Sequence, residues 1–341
     1  MKKFVGVFLQ FFYLGLNRIW HSWNLYFVHP KTYPKTKIVS IGNLTVGGTG
    51  KTPIVESLLQ FFQGQEKKTA VLTRGYGRKT KKRMRLDLKT KDQPWFNFGD
   101  EPVWLHQKHP QSVIFIGPDR RHFLNQEQEN FDVFLLDDGF QQRKIKKNLD
   151  LLVVDSTQAL SSFQLLPLGR LREPLAELKR ADALLLNKVN LDPSLAKKWK
   201  EKLETHFSKP IFLFAYQPKC LENSEGQTIP FSALQKEPFL AVCGLGNPKQ
   251  FQTTLTSLHL HPQDFRVFPD HHFYSPKEVK SFHAFPGFKI TTEKDFVRLA
   301  PFLFFPNLWL KLVMEVVWDE NFSPFLLEKL GWKKSESFKK N

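Results

Sequence analysis

The sequence predicts an α/β protein: a P-loop-containing, parallel-sheet α/β/α domain, a second, smaller α/β domain, and an N-terminal membrane-interface helix. Three observations point there. Short apolar runs alternate with helix-length stretches along most of the chain, the pattern of parallel strands joined by crossover helices. The first run leads into a glycine loop that ends in Gly50-Lys51-Thr52. A second start of the same kind, residues 239–242 running into Cys243-Gly244-Leu245-Gly246-Asn247-Pro248, opens late in the chain. At 341 residues the chain suits two domains of roughly 150 residues each. The expected boundaries are 1–30 for the helix, 31–218 for the P-loop domain and 219–341 for the second domain. The polar, glycine-bearing stretch 222–227 is the expected joint.

In chain order, Lys2 and Lys3 precede an apolar stretch at 4–16, which Arg18 and His21 break among Trp20, Trp23, Leu25, Tyr26 and Phe27. The uninterrupted run is shorter than the ~20 residues that span a bilayer. No small-residue cleavage site follows it. The expectation is a helix lying in or against a membrane face, with Trp and Tyr at headgroup level. The alternatives are a helix packed on the protein's own core and a helix that spans the bilayer.

Residues 37–53 read KIVSIGNLTVGGTGKTP, a strand, a glycine loop, Lys-Thr and a helix. That layout is a phosphate-binding loop. Its backbone N–H groups and the helix N-terminus face phosphate oxygens. Thr45, Gly47, Gly48, Thr49, Gly50, Lys51 and Thr52 are the candidate nucleotide-binding residues. Lys51 reaches the terminal phosphates, and the Thr52 hydroxyl suits Mg²⁺. The usual pattern has a glycine where this chain has Thr45, and Gly47 and Gly48 supply the flexibility instead. A structural glycine turn is the alternative.

Residues 69–73 read as a second buried strand, ending in Arg74-Gly75-Tyr76-Gly77, where an arginine is placed to meet an anion. A solvated loop arginine is the other reading. The basic run 78–85 is either a solvated loop or a contact for an anionic surface. Phe98-Gly99-Asp100-Glu101-Pro102 puts two carboxylates before a helical stretch, where acidic residues also serve simply to start a helix. Strands follow at 113–116 and 131–136. The first runs into Gly117-Pro118-Asp119-Arg120-Arg121 and the second into Asp137-Asp138-Gly139. A carboxylate at a strand end after a phosphate loop is the usual partner of the Mg²⁺ shell, and a DG turn is the alternative.

Further strands are expected at 149–155, 183–187 and 211–216. Between the first two, residues 165–174 (LLPLGRLREP) bring Arg170, Arg172 and Glu173 into a proline-bounded loop. Asn187-Lys188-Val189-Asn190 is similar to the NKxD guanine reader, but Asn190 stands where the guanine-pairing carboxylate belongs, which counts against GTP. In the second domain GLGNP is a strand-to-helix turn or the start of a dinucleotide fingerprint. Residues 265–268 lead to Pro269-Asp270-His271-His272, which reads as a metal site, an acid–base group or a polar loop, although zinc would want further Cys or His ligands nearby. Residues 288–292 lead to Glu293-Lys294-Asp295, a charged turn. The last strand is 308–317 and the basic tail starts at Lys333.

The net charge of +17 calls for an anionic partner: nucleic acid, an acidic membrane surface or a phosphorylated substrate. The 34 phenylalanines and 8 tryptophans suit a membrane interface as well as RNA. With only Cys220 and Cys243 there is no disulfide framework or cysteine metal site, and a reducing compartment is the default.

Taken together, SIGNLTVGGTGKTP, LTRGYGR, FGDEP, GPDR, LLDDGFQ, LLPLGRLREP, FPDHHFY and TTEKD resemble the signature series of the tetraacyldisaccharide 4'-kinase (lipid A 4'-kinase) family. They stand in the family's order and cover roughly residues 37–299. The family shares Thr45 in its version of the loop and carries its membrane contact in the N-terminal segment. The resemblance implies two α/β/α domains with a cleft between them, and an enzyme on the cytoplasmic face of the inner membrane of a Gram-negative bacterium. It implies transfer of the ATP γ-phosphate to the 4'-hydroxyl of a tetraacylated glucosamine disaccharide 1-phosphate, with ATP and Mg²⁺ as cofactors.

By the same resemblance, Asp100 is the base for that hydroxyl, assisted by His271 with Asp270 beside it. The imidazole orients the carboxylate and raises its basicity. Lys51 holds the β- and γ-phosphates. Thr52, Glu173 and Asp137 form the metal set, and Arg74, Arg120, Asp138 and Arg172 are substrate contacts. The partners expected are the anionic lipid and a membrane surface, with neither nucleic acid nor an obligate protein partner. The competing class is a P-loop NTPase, either nucleic-acid-dependent or a GTPase-type targeting or metal-insertion factor.

Overall fold

The structure, a computed structural model, describes residues 29–87, 95–303 and 308–333. The expected N-terminal helix lies outside these residues. Among the described residues no helix is long and apolar enough to cross a membrane.

The elements run in order as β1 (Lys37–Gly42), α1 (Lys51–Gly64), β2 (Thr69–Thr73), β3 (Met84–Leu86), α2 (Trp95–Phe98), α3 (Asp100–Lys108), β4 (Val113–Ile116), α4 (Arg120–Glu127) and β5 (Val133–Asp137). Next come β6 (Leu149–Asp155), β7 (Ala183–Asn187), α5 (Pro193–Glu204), β8 (Ile211–Glu222), β9 (Thr228–Ile229), β10 (Phe239–Cys243) and α6 (Pro248–Ser257). The described residues end with β11 (Asp264–Val267), α7 (Pro276–His283), β12 (Phe288–Thr292), α8 (Glu293–Leu299), β13 (Trp309–Trp318) and α9 (Phe322–Leu330). Each run read as a strand from its apolar character is a strand, give or take two residues at most ends. β8 extends six residues beyond the expected Tyr216.

The described residues group into two compact units. One draws on residues 29–74, Ser112–Tyr216 and 316–333, the other on residues 75–87, 95–111, 217–303 and 308–315. The sequence boundaries 31–218 and 219–341 treat each domain as one continuous stretch, whereas both units here are discontinuous.

In the first unit the strands pair in parallel in the order β8-β7-β6-β1-β5-β2-β4. These strands are apolar nearly throughout because both faces are covered. Ile38, Leu72, Phe134 and Leu136 enter one apolar cluster, while Leu152, Leu184 and Leu186 enter another with Trp199 of α5. α1 buries Ile54, Val55, Leu58, Leu59, Phe61 and Phe62. Each such side chain contributes about 1.5–3 kcal/mol relative to exposure. β1 lies between β5 and β6: Ile41 registers with both Asp137 and Leu151. The chain crosses from one side of β1 to the other there, so the crevice at the carboxyl ends of these strands is the expected ligand position.

In the second unit β11, β10, β12 and β13 pair in parallel in that order. Phe239, Ala241 and Cys243 of β10 face one cluster, and Leu240 and Val242 face another, as the two-residue period of a strand requires. Residues 222–227, expected as a joint, form a turn inside this unit. The Asn223 carboxamide accepts from the N–H groups of Glu225 and Gln227 and closes an antiparallel hairpin of β8 with β9.

Candidate active site

The loop after β1 is clamped at both ends, and Gly47 and Gly48 between them are exposed. Thr45 bridges Leu171 in antiparallel fashion, the Val46 N–H donates to the Arg170 carbonyl at 2.8 Å, and the Arg172 N–H donates to the Leu44 carbonyl at 2.7 Å. The Arg170 guanidinium reaches back to the Val46 carbonyl at 2.9 Å. Thr45 therefore sits in a short ladder, where a β-branched residue is at home and a glycine is not required. Past the ladder the loop turns at Gly50, which heads α1 in the left-handed conformation (φ 81°). A Cβ at Gly50 would lie 2.5 Å from the Asn187 amide nitrogen, so only glycine fits. The first-turn N–H groups of α1 are the anion-facing end of the helix.

Lys51 is held between two oxygens. Its Nζ donates to Asn43 Oδ1 at 3.1 Å and lies 3.4 Å from Asp138 Oδ1. Asn43 is fully buried and fixes the loop in turn by donating to the Thr45 carbonyl at 2.9 Å.

The two aspartates that end β5 do different things. Asp137 accepts the Thr73 hydroxyl at 2.9 Å. Asp138 turns outward with φ 50° and faces Lys51 and Arg172, the latter at 3.7 Å. Burial opposes charge on Asp138, but Lys51, Arg172, Arg120 and Arg74 overcome it and hold the carboxyl below its ordinary value. Arg120 is 1% exposed, and its guanidinium donates to the carbonyls of Asp137 at 2.5 Å and Asp138 at 3.4 Å. Burial brings its pKa down to about 10 against the pull of Asp137. Arg120 thus shapes the Asp137-Asp138 turn. With its amide turned to suit its neighbours, Gln142 accepts from both Arg120 and Arg74 at 3.2 Å.

Glu173 sits in a buried network. Its Oε2 takes Arg143 and Arg180, each at 3.0 Å, and Glu177 takes the same two arginines at 2.9 and 2.6 Å. Its Oε1 is buried with no hydrogen bond. A buried carboxylate oxygen left open in this way is suited to a cation. Thr52, Glu173 and the Asp137-Asp138 pair offer only hard oxygen donors, which fits Mg²⁺. Among the described residues no group of three or more His, Cys, Asp or Glu side chains is arranged to hold a metal. Mg²⁺ bound through one or two protein oxygens plus nucleotide phosphates needs no such group.

Residues 187–190 have a role that the guanine-reader comparison misses. Asn187 donates to the Thr49 carbonyl at 3.2 Å, gripping the phosphate loop from β7. Its own Oδ1 accepts from the Lys188 N–H at 2.9 Å, and Lys188 Nζ meets buried Asp155 at 2.8 Å. Asn190 donates to the Tyr216 carbonyl at 3.1 Å and accepts the Tyr216 N–H at 2.9 Å, a clasp onto β8. Both ends of its amide serve the fold rather than a base.

In the second unit Asp100 opens α3 after Gly99, whose φ of 100° is glycine territory. The carboxylate is 2% exposed. Oδ1 accepts the Glu101 N–H at 2.9 Å, and Oδ2 lies 2.9 Å from His271 Nδ1 and 3.6 Å from Arg298 Nε. His271 stands in the turn between β11 and α7 with φ 57°, and Asp270 is 3.9 Å from its Nε2.

Behind them Arg298 is fixed by Asp295 at 2.7 Å and the Gly244 carbonyl at 3.1 Å. Asp295 is fully buried and also accepts from Tyr274, Thr292 and the Gly244 N–H. GLGNP and TTEKD therefore form the support beneath Asp100 and His271. Glu101 is paired with Lys294.

Burial opposes ionisation of Asp100, but the His271 hydrogen bond, with the charges of His271, Lys294 and Arg298, outweighs it and holds the carboxyl below its ordinary value. The Asp100 hydrogen bond pushes His271 above its ordinary value. This corrects the expectation that the imidazole raises the basicity of Asp100: a protonated His271 stabilises the carboxylate and weakens it as a base.

A family model described as tetraacyldisaccharide-1-P 4'-kinase matches residues 7–331. A protein named tetraacyldisaccharide 4'-kinase from Bdellovibrio bacteriovorus is 35% identical over 274 residues, covering 77% of this chain and 79% of that protein. One of the same name from Aquifex aeolicus is 34% identical over 289 residues, covering 82% of this chain and 84% of that protein. A crystal structure of LpxK from Aquifex aeolicus in complex with ATP superposes with a TM-score of 0.78 at 30% identity, covering 95% of this chain and 98% of that one.

Proposed function

This chain belongs to the tetraacyldisaccharide 4'-kinase family, and from that membership we propose how its residues divide the reaction of an ATP-dependent kinase of lipid A biosynthesis. The observation that carries the reading is that each unit holds a built constellation: a clamped phosphate loop in one and, in the other, a buried Asp100 paired with a half-buried His271.

The first constellation holds the donor. Gly47, Gly48, Thr49 and Gly50 offer backbone N–H groups to the ATP phosphates, and Lys51 balances the charge at the β- and γ-phosphates. Asn43 and Asp138 position that lysine. Arg74 and Arg172 meet anionic oxygens, and Arg120 acts through the Asp137-Asp138 turn. Thr52, Glu173 and Asp137 are the residues that would hold Mg²⁺, which neutralises phosphate charge when bound.

The second constellation serves the acceptor, the 4'-hydroxyl of a tetraacylated glucosamine disaccharide 1-phosphate. With His271 neutral, its Nδ1–H orients Asp100, and the carboxylate takes the hydroxyl proton as the new bond to the γ-phosphorus forms and the bond from that phosphorus to the β–γ bridging oxygen breaks, releasing ADP. Glu101 N–H and Arg298 keep Asp100 aimed. Asp270 biases the imidazole from its other nitrogen.

The enzyme would work at the cytoplasmic face of the inner membrane of a Gram-negative bacterium, with residues 1–30 at the lipid surface. The test is transfer of γ-labelled phosphate from ATP to the disaccharide in mixed micelles. A labelled lipid supports the reading. ATP hydrolysis stimulated by nucleic acid, with no labelled lipid, contradicts it and favours the NTPase class.

A further inference from the structure

Near the Asp100–His271 pair the second unit carries a face that the proposed chemistry does not use. Tyr76 is 75% exposed, Phe273 46% and Phe96 36%. Phe273 leans on the buried Trp95 ring with centroids 4.3 Å apart, and Tyr76 lies against His271 at 5.3 Å. Lys79 Nζ stands over two of these rings, 5.2 Å from Phe96 and 5.5 Å from Phe273, and its backbone N–H donates to the Phe96 carbonyl. The loop and the aromatic turn are thus one assembly.

The same loop, residues 78–85, has six cations and no carboxylate. Lys79, Lys81, Lys82, Arg83 and Arg85 are exposed. Asp87 meets Arg85 at 2.8 Å, whereas Lys81, Lys82 and Arg83 form no ion pair among the described residues.

Three arguments narrow the occupant. A second copy of this face would oppose like charge with like. A protein interface core is depleted in lysine, while here lysine sits in the middle. Nucleobase stacking needs open ring faces, and Lys79 already stands over Phe96 and Phe273 while Trp95 packs on Phe273, which leaves less ring face for a base. Exposed rings among cations match the headgroup region of an anionic bilayer, where rings insert at the interface and cations meet lipid phosphates.

We propose that Tyr76, Phe96 and Phe273 with the 78–85 loop are a membrane contact for anionic lipid, separate from the N-terminal stretch. The proposal rests on the lipid-kinase reading and adds a second point of attachment to it.

The test uses the full chain and vesicles of phosphatidylcholine with or without phosphatidylglycerol, read by co-sedimentation. The variants are the exposed double substitution Lys81→Glu/Lys82→Glu and, separately, Phe96→Ser, each checked for an unchanged melting temperature. The charge variant should lose binding to the anionic vesicles about tenfold or more. Phe96→Ser should weaken binding to both kinds of vesicle. Both should keep transfer to acceptor in detergent micelles within about twofold of wild type. Wild-type partition by both variants overturns the proposal, as does loss of single-stranded RNA binding with vesicle binding intact. Failure of wild type to phosphorylate lipid in micelles would strike the kinase reading instead, and the vesicle data would still judge the surface.

Discussion

His271 Nδ1 lies 2.9 Å from Asp100 Oδ2, joining residues 171 positions apart in the chain. Neither side chain is exposed, and Arg298 stands 3.6 Å behind the shared oxygen. This pair sets the pH behaviour of the enzyme.

His271 titrates above its ordinary value and Asp100 below, chiefly because each favours the charged form of the other, so the imidazolium–carboxylate form of the pair persists to higher pH than a free histidine would allow. The proton-accepting form requires a neutral imidazole, so it grows in as pH rises through the raised His271 value. The acid limb of the kcat/KM profile should therefore lie above the ordinary histidine value of about 6.5. In His271→Ala the limb should fall to the carboxylate range. An unmoved limb would dissociate His271 from the proton transfer.

The same directions give a stability prediction. A raised histidine pKa contributes stability that is lost as pH rises through its folded value. A depressed aspartate pKa contributes stability that is lost as pH falls through its folded value. The pair therefore stabilises the second unit between those two limits. Wild type minus Asp100→Asn melting temperatures should be largest in mildly acidic buffer and shrink on the alkaline side.

Asn187→Ala removes the grip on the Thr49 carbonyl. A lost buried hydrogen bond is worth about 1–3 kcal/mol. Expressed in loop order, that should raise the KM for ATP roughly tenfold with a smaller change in kcat. Asn190→Asp should not create GTP use, because both ends of the Asn190 amide engage Tyr216. Competition by GTP against ATP transfer checks it, and a strong GTP preference would contradict the assignment.

Glu173→Ala would take from Arg143 and Arg180 one of the two carboxylates they share, and breaking a buried ionic network costs about 3–5 kcal/mol. Glu173→Gln keeps the shape and part of the hydrogen bonding. It should melt closer to wild type while weakening Mg²⁺ dependence of nucleotide binding, measured by titration calorimetry at several Mg²⁺ concentrations.

The phosphate loop was legible because its residues are contiguous and its physics is local: strand, glycines, Lys-Thr, helix. The buried strands were legible because parallel strands covered on both faces must be apolar. Asp100 with His271 could be paired only through family resemblance, since nothing local links FGDEP to FPDHH. Of their supports, Asp295 and Tyr274 were visible only as members of TTEKD and FPDHHFY with no role attached, and Arg298 gave no signal, because these roles arise from tertiary contact. Asn187 was visible only as part of a failed guanine motif, and the Arg143–Arg180 clamp on Glu173 was not visible at all. The hairpin at 222–227 was misread as a joint because a polar, glycine-bearing turn looks the same within a domain as between two.

The central claim is that donor binding and proton removal reside in separate constellations. The most direct measurement compares ATP affinity with the single-turnover rate of phosphate transfer in Asp100→Asn. The account predicts ATP affinity within about twofold of wild type and a transfer rate lower by roughly 10²–10⁴. A wild-type transfer rate in this variant would contradict it.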